Sequence, residues 1–392
     1  MRLGKKLTKR RPPFLLLYFL GLLMAVSTAL PAYIQSNFLK GLVNLPAVSG
    51  FFVIANLFTV LAIVIFPNLI RKLNNYFLIK VVLLIYGVSL LGLTAATSAL
   101  AGFIAIILFT IASNLIWINL DVALETFSKN PTTGRTRATY FTFINLGWIG
   151  APALSSYLIK LGDYQLVFLS AALLVIPLFL IVLSQKRRLN DRVKYSRERL
   201  ALVIKKTWQN KNLRGIFFIA LLLSLFYGCA VVYIPLYLHQ TLGMDWHVLG
   251  PIFSLMLIPF VLFELPAGIV ADKYWGEKEL LSIGLTIIII ALFLFFLIDQ
   301  PTAWVWTAVL FFSRIGASLM EAMRESYFFK IVNADDVGYI NLFRTAAPLG
   351  YALGPAIAII CLSFLPLPYL FLILAILMLS GFGFIASLKD TK

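Results

Sequence analysis

The chain has 392 residues, of which 61% are hydrophobic and 12% charged, and its mean hydropathy is +0.94. A folded water-soluble domain needs a polar exterior, so this balance excludes a soluble protein and leaves lipid as the solvent for most of the outer surface. The formal charge of +17 does not require a nucleic acid partner, because the basic residues sort by loop.

A bilayer core of roughly 30 Å takes about 20 apolar residues in a helix. In chain order the windows of that length are 13–33, 46–66, 77–97, 99–120, 139–160 and 164–184. After a polar stretch, 185–213, come 214–237, 248–268, 279–298, 302–322, 338–363 and 368–388. These runs are too long for barrel strands and do not alternate in polarity. The expected fold class is an all-α integral membrane protein of twelve transmembrane helices.

The first span follows a basic segment, residues 1–12, and exceeds the apolar core of about 7–15 residues that a secretory signal carries. The fourth ends in Asp121 and Glu125 and the tenth in Glu321 and Glu325, each pair four residues apart where the helix dipole disfavours negative charge. Cations are expected beside them: Arg135 or Arg137 for the first pair, and Lys273, Arg324 or Arg344 for the second, together forming a gate at that end. In the linker, apolar Leu200 to Ile204 between charged residues fits either a helix lying on the membrane surface or a solvated segment.

Of the 33 Lys and Arg residues, all but Lys40, Lys160, Arg314 and Arg344 fall at the end of the helices that carries both termini. By the positive-inside rule both termini are cytoplasmic and the chain is a multi-pass protein of the cell membrane. Contact with anionic lipid headgroups accounts for the basic balance, at about 1 kcal/mol per residue near the surface. Cys229 and Cys361 lie inside apolar runs, and His239 and His247 flank one short polar loop. No metal, redox or catalytic spacing results, so no cofactor and no enzymatic activity is expected.

A shift of 200 residues brings Tyr33-Ile34 onto Tyr233-Ile234, Val48 and Gly50 onto Val248 and Gly250, and Asp121 with Glu125 onto Glu321 with Glu325. At 203, Gly147-x-x-x-Ala151-Pro152 meets Gly350-x-x-x-Gly354-Pro355. An internal repeat follows: bundles 13–184 and 214–388, joined by the linker 185–213, with a tail 389–392.

Gly268-Ile269-Val270-Ala271-Asp272-Lys273-Tyr274-Trp275-Gly276-Glu277-Lys278 after the eighth span resembles the cytoplasmic loop signature of the major facilitator superfamily. Gly276 stands one position later than in its commonest form. The first-half counterpart, Pro67 to Asn74, lacks the acidic residue and both glycines. The patterns at Pro152 and Pro355 are similar to the family's antiporter motif, although Ala153, Leu154 and Ser155 replace its further glycine; they fit either efflux or close helix packing. The resemblance implies two pseudo-symmetric six-helix bundles that transport a small solute by alternating access. It also places the first, fourth, seventh and tenth helices around a central cavity, with Asn114, Trp117, Tyr227, Tyr233 and Arg314 as lining candidates.

Ionisable groups inside a membrane are costly and need partners. At about 1.5 Å per residue, Glu264 lies about 6 Å, Arg314 about 12 Å and Arg344 about 9 Å from the cytoplasmic ends of their spans. Three readings are open: a structural ion-pair network that includes Asp272, proton coupling through Glu264, and Arg314 as anchor for an anionic substrate. The expected function is a facilitative or proton-coupled transporter, with efflux slightly favoured, acting as a monomer on a small-molecule solute. The alternative is a non-transporting receptor or assembly factor of the same fold.

Overall fold

A computed structural model describes residues 14–127, 133–184, 200–332 and 337–390, and all regular structure among them is helical. The first half comprises α1 (Phe14–Ala32), α2 (Gln35–Leu42), α3 (Leu45–Leu73), α4 (Asn75–Ala95), α5 (Ala99–Phe127) and α6 (Thr133–Ser184). After α7 (Leu200–Gln209), the second half comprises α8 (Lys211–Leu236), a π-helical turn (Tyr237–Thr241), α9 (Trp246–Leu255) and α10 (Ile258–Lys273). It continues through α11 (Glu277–Leu297), α12 (Ala303–Ile331), α13 (Val337–Arg344), α14 (Ala346–Leu362) and α15 (Pro368–Ser387).

Eleven helical segments are long and apolar enough to cross a bilayer. One of them, Thr139–Ser184, supplies two crossings. Its helix is broken at Gly162 and at Asp163, whose φ of 63° lies in the left-handed region, and the Asp163 carboxylate accepts a hydrogen bond from the Tyr164 amide at 2.8 Å. Both arms then lie beside the same level of α1. Gly147 abuts Ala25 and the Leu22 backbone, while Ser27 Oγ donates to the Ala171 carbonyl at 2.9 Å. The described residues therefore hold twelve segments of a length to cross.

Capping shows how local sequence sets other boundaries. The Asn44 side chain accepts from the Ala47 amide at 3.0 Å and opens α3. Asn74, with φ 62°, ends α3 and accepts from the Phe77 amide at 2.9 Å to open α4. Asparagine tolerates that backbone region better than most residues, so a single residue turns the chain between two spans.

Lipid as the outer solvent is visible in the exposure of Leu100, Val88, Ile360 and Phe364, the last at 83%. Inside each half, small residues allow close approach. A Cβ on Gly350 would overlap the backbone of Ser224 and Leu225, and one on Gly354 would overlap Cys229, so α14 lies directly on α8. Between the halves, α14 packs on α3 and α9 on α6.

Two expected spans are interrupted. The eighth divides into α9 and α10 at Met256 and Leu257, just before Pro259, and the eleventh divides into α13 and α14 at Thr345. Proline removes a backbone donor and crowds the preceding turn, which accounts for the first break. Part of the segment read as linker is helical: α7 spans Leu200–Gln209 and packs on α8 and α13, and α8 begins at Lys211.

Candidate functional site

A cavity of about 490 Å³ lies between the halves, walled by α1, α2, α3, α5 and α6 on one side and by α8, α10, α12 and α14 on the other. The first-half wall is neutral. Asn56 and Asn114 donate back to the carbonyls of Phe52 and Thr110 at 2.8 and 2.9 Å, and Trp117, Asn145 and Trp148 complete much of this side.

The second-half wall carries the charge. Arg314 reaches the cavity from the interior of α12 with 1% of its surface exposed. Its guanidinium carbon lies 5.3 Å from the centre of the Phe226 ring and 6.0 Å from that of Tyr227, and Tyr33 is within hydrogen-bonding reach. The Nη1 group has no hydrogen-bond partner. Glu321, about two turns further along α12, accepts from the Tyr227 hydroxyl at 2.7 Å and lies 3.7 Å from Arg324. Glu264 faces the same space from α10, within hydrogen-bonding reach of Asn145 across the interface.

At the end of the helices that carries the termini, the contacts are ionic. Arg344 donates to Glu325 at 2.8 Å, with Arg324 at 3.8 Å from the same carboxylate. Asp121 of the first half and Glu321 are within electrostatic reach of Arg344. Lys330 bridges Asp272 at 3.1 Å and the fully buried Glu277 at 2.5 Å, and Ser326 donates to Glu277 at 2.9 Å. The side chains of Glu125, Arg135 and Arg137 lie outside the described residues.

The opposite end is closed by neutral contacts between the halves. Ser49 and Tyr233 share a hydroxyl hydrogen bond of 2.6 Å. Ser156 Oγ donates to the Trp246 carbonyl at 2.5 Å, Ser254 Oγ accepts from the Ala153 amide at 3.0 Å, and Trp246 Nε1 donates to the Tyr164 hydroxyl at 2.9 Å. Gln240 donates to Asn37 at 3.2 Å, and the Tyr33 and Phe253 rings stack at 5.1 Å.

The structure brings Asn114, Trp117, Tyr227 and Arg314 to one cavity, together with Glu264 and Glu321. Two expectations need correction. Tyr233 does not line the cavity: it is fully buried in the closed end, on Ser49. Tyr227 and Tyr233 are six residues apart, which at about 100° per residue puts them roughly 120° apart around α8, so they face different surroundings. A single network of Glu264, Arg314, Arg344 and Asp272 does not form either. Asp272 pairs with Lys330 and Arg344 with Glu325, and no ion pair joins Glu264 or Arg314 to another group among the described residues. The sequence reading missed Tyr33, Phe226 and Tyr351 around Arg314; apolar neighbours gave these aromatics no distinguishing pattern.

The model of the Major Facilitator Superfamily matches residues 103–258 and 216–391. The chain belongs to that superfamily. It is a membrane transporter of this fold rather than an enzyme. No curated protein sequence matches it. Among solved structures, a mutant of the nucleoside transporter NupG superposes with a TM-score of 0.76 at 16% identity, covering 96% of this chain and 100% of the other. A POT family transporter in complex with 5-aminolevulinic acid gives 0.80 at 10% identity, covering 95% and 94%. At these identities the likeness establishes the fold of this superfamily member. Among its described residues no group of three His, Cys, Asp or Glu side chains is placed to hold a metal ion.

Proposed function

We propose that this protein is a secondary transporter that carries a small solute by alternating access, linked to proton movement through Glu264. The observation that carries this reading is the asymmetry of the cavity: neutral, tightly packed contacts close it at one end, while partly exposed ion pairs flank the other. With the termini cytoplasmic, as the basic residues favour, this is an inward-facing arrangement. Glu264 suits proton exchange because it is a carboxylate inside the cavity, hydrogen-bonded to a neutral amide of the other half and not held by a cation. Protonation removes its charge before the halves close around it, which lowers the cost of enclosing it. Export is the favoured direction on the glycine and proline pattern of α6 and α14. The cell membrane is the proposed location and the monomer the working unit.

Reconstitution in liposomes with an imposed pH gradient tests this reading. A solute panel should show gradient-driven flux in the wild type and loss of the gradient dependence in Glu264→Gln. Wild-type flux that is unchanged when the gradient is dissipated, together with a variant that behaves like wild type, would remove the proton link. Cysteines at Ser49 and Ala347 should be labelled in alternation by impermeant reagents; constant labelling would remove alternating access.

A further inference from the structure

We infer that the transported solute is a small organic anion, a carboxylate on a flat or aromatic body, and that Arg314 is the group that reads its charge. This rests on the proposed transport reading and goes beyond it by naming a substrate class. A guanidinium excluded from water is stable only with hydrogen-bond acceptors or compensating charge around it. Arg314 is 1% exposed, yet among the described residues no carboxylate lies within ion-pair distance and its Nη1 group has no partner. Nearby acids do not serve it. Glu321 is engaged by the Tyr227 hydroxyl and by Arg324, and Glu264, on the same wall, is turned to Asn145 of the first half.

What does surround Arg314 is aromatic: Phe226 and Tyr227 flank the guanidinium, with Tyr33 beside it. Ring faces hold the plane of a guanidinium without satisfying its N–H groups. The guanidinium is therefore flanked by rings and keeps an unpaired Nη1 group, in a side chain that lines the cavity, which suits it to receive a carboxylate. Trp117 and Trp148 on the first-half wall supply flat apolar surfaces for the rest of such a solute. Because Arg314 and Glu264 are not paired with each other, anion and proton have separate sites in one cavity.

The test compares benzoate, nicotinate and indole-3-acetate with their primary amides, using tryptophan fluorescence titration and thermal shift of the purified full chain. Each acid should bind roughly 10- to 100-fold tighter than its amide, the range expected for a hydrogen bond to a buried charge. Arg314→Gln should abolish that preference. Arg314→Lys should retain part of it, which keeps the test valid if the glutamine variant folds poorly. Acids that bind no tighter than amides, or an unchanged preference in Arg314→Gln, would overturn the inference. Neutral solutes transported with normal alternation of the Ser49 and Ala347 labels would overturn it while leaving the transport reading intact; fixed labelling would overturn the transport reading instead.

Discussion

The two ends of the interface between the halves are built from different chemistry. At the end remote from the termini, Tyr233 and Ser49 are fully buried and the joining groups are hydroxyls, amides and ring faces. At the other end Arg344, Glu325, Asp272 and Lys330 are all partly exposed, Asp272 at 66%. Neutral hydrogen bonds in a dry contact separate at about 1 kcal/mol each, and water readily takes up the groups they release. Half-exposed ion pairs contribute little and are screened by salt. The closed end is therefore held by fit, whereas the opposite end carries charges paired within the second half, which water and salt already weaken.

Three substitutions sharpen that contrast. The largest effect is expected from Lys330→Met, because Lys330 serves two carboxylates of opposite environment, one exposed and one with no exposed surface. Removing the cation beside a buried acid costs about 3–5 kcal/mol, so thermal unfolding in detergent should fall sharply. A small change would mean that Glu277 is held mainly by other groups. Next is Gly250→Val in the closed end, where even a methyl group would overlap Ser156 and the Pro152 carbonyl. Overpacking of about 1–3 kcal/mol should open that end and raise maleimide labelling of a cysteine at Ser49 roughly five- to hundredfold in the ratio of states. Unchanged labelling would show that the seal does not depend on fit there. Smallest is Tyr233→Phe, which deletes one neutral hydrogen bond, about 1 kcal/mol or roughly a fivefold population shift. Its effect should not vary with salt; a salt-dependent effect would contradict the neutral character of that end.

Much of the architecture was legible because span length and loop charge are set by the bilayer itself. The turn at Leu161 to Asp163 was readable from three residues, and the non-helical backbone at Gly162 and Asp163 falls within them. Breaks inside spans were not: Met256 and Leu257 are as apolar as their neighbours, and only Pro259 signals the interruption. Charged residues in the site stood out against the apolar background, so Arg314 and Glu264 could be named in advance. Their partners could not, because a helix apolar on all sides gives no phase. Tyr233 was misplaced for that reason, although its offset from Tyr227 already forbade a common face.

The leading helix of each half carries a proline just before the closed end. Pro31 precedes the break at Tyr33 and Ile34, and Pro235 precedes the π-helical turn at Tyr237–Thr241. Each rod thus has a weak joint about a turn below its tip, since proline interrupts the ladder that gives a helix its bending stiffness. On the alternating-access proposal, the two short tips beyond those joints are where unsealing of the closed mouth would start.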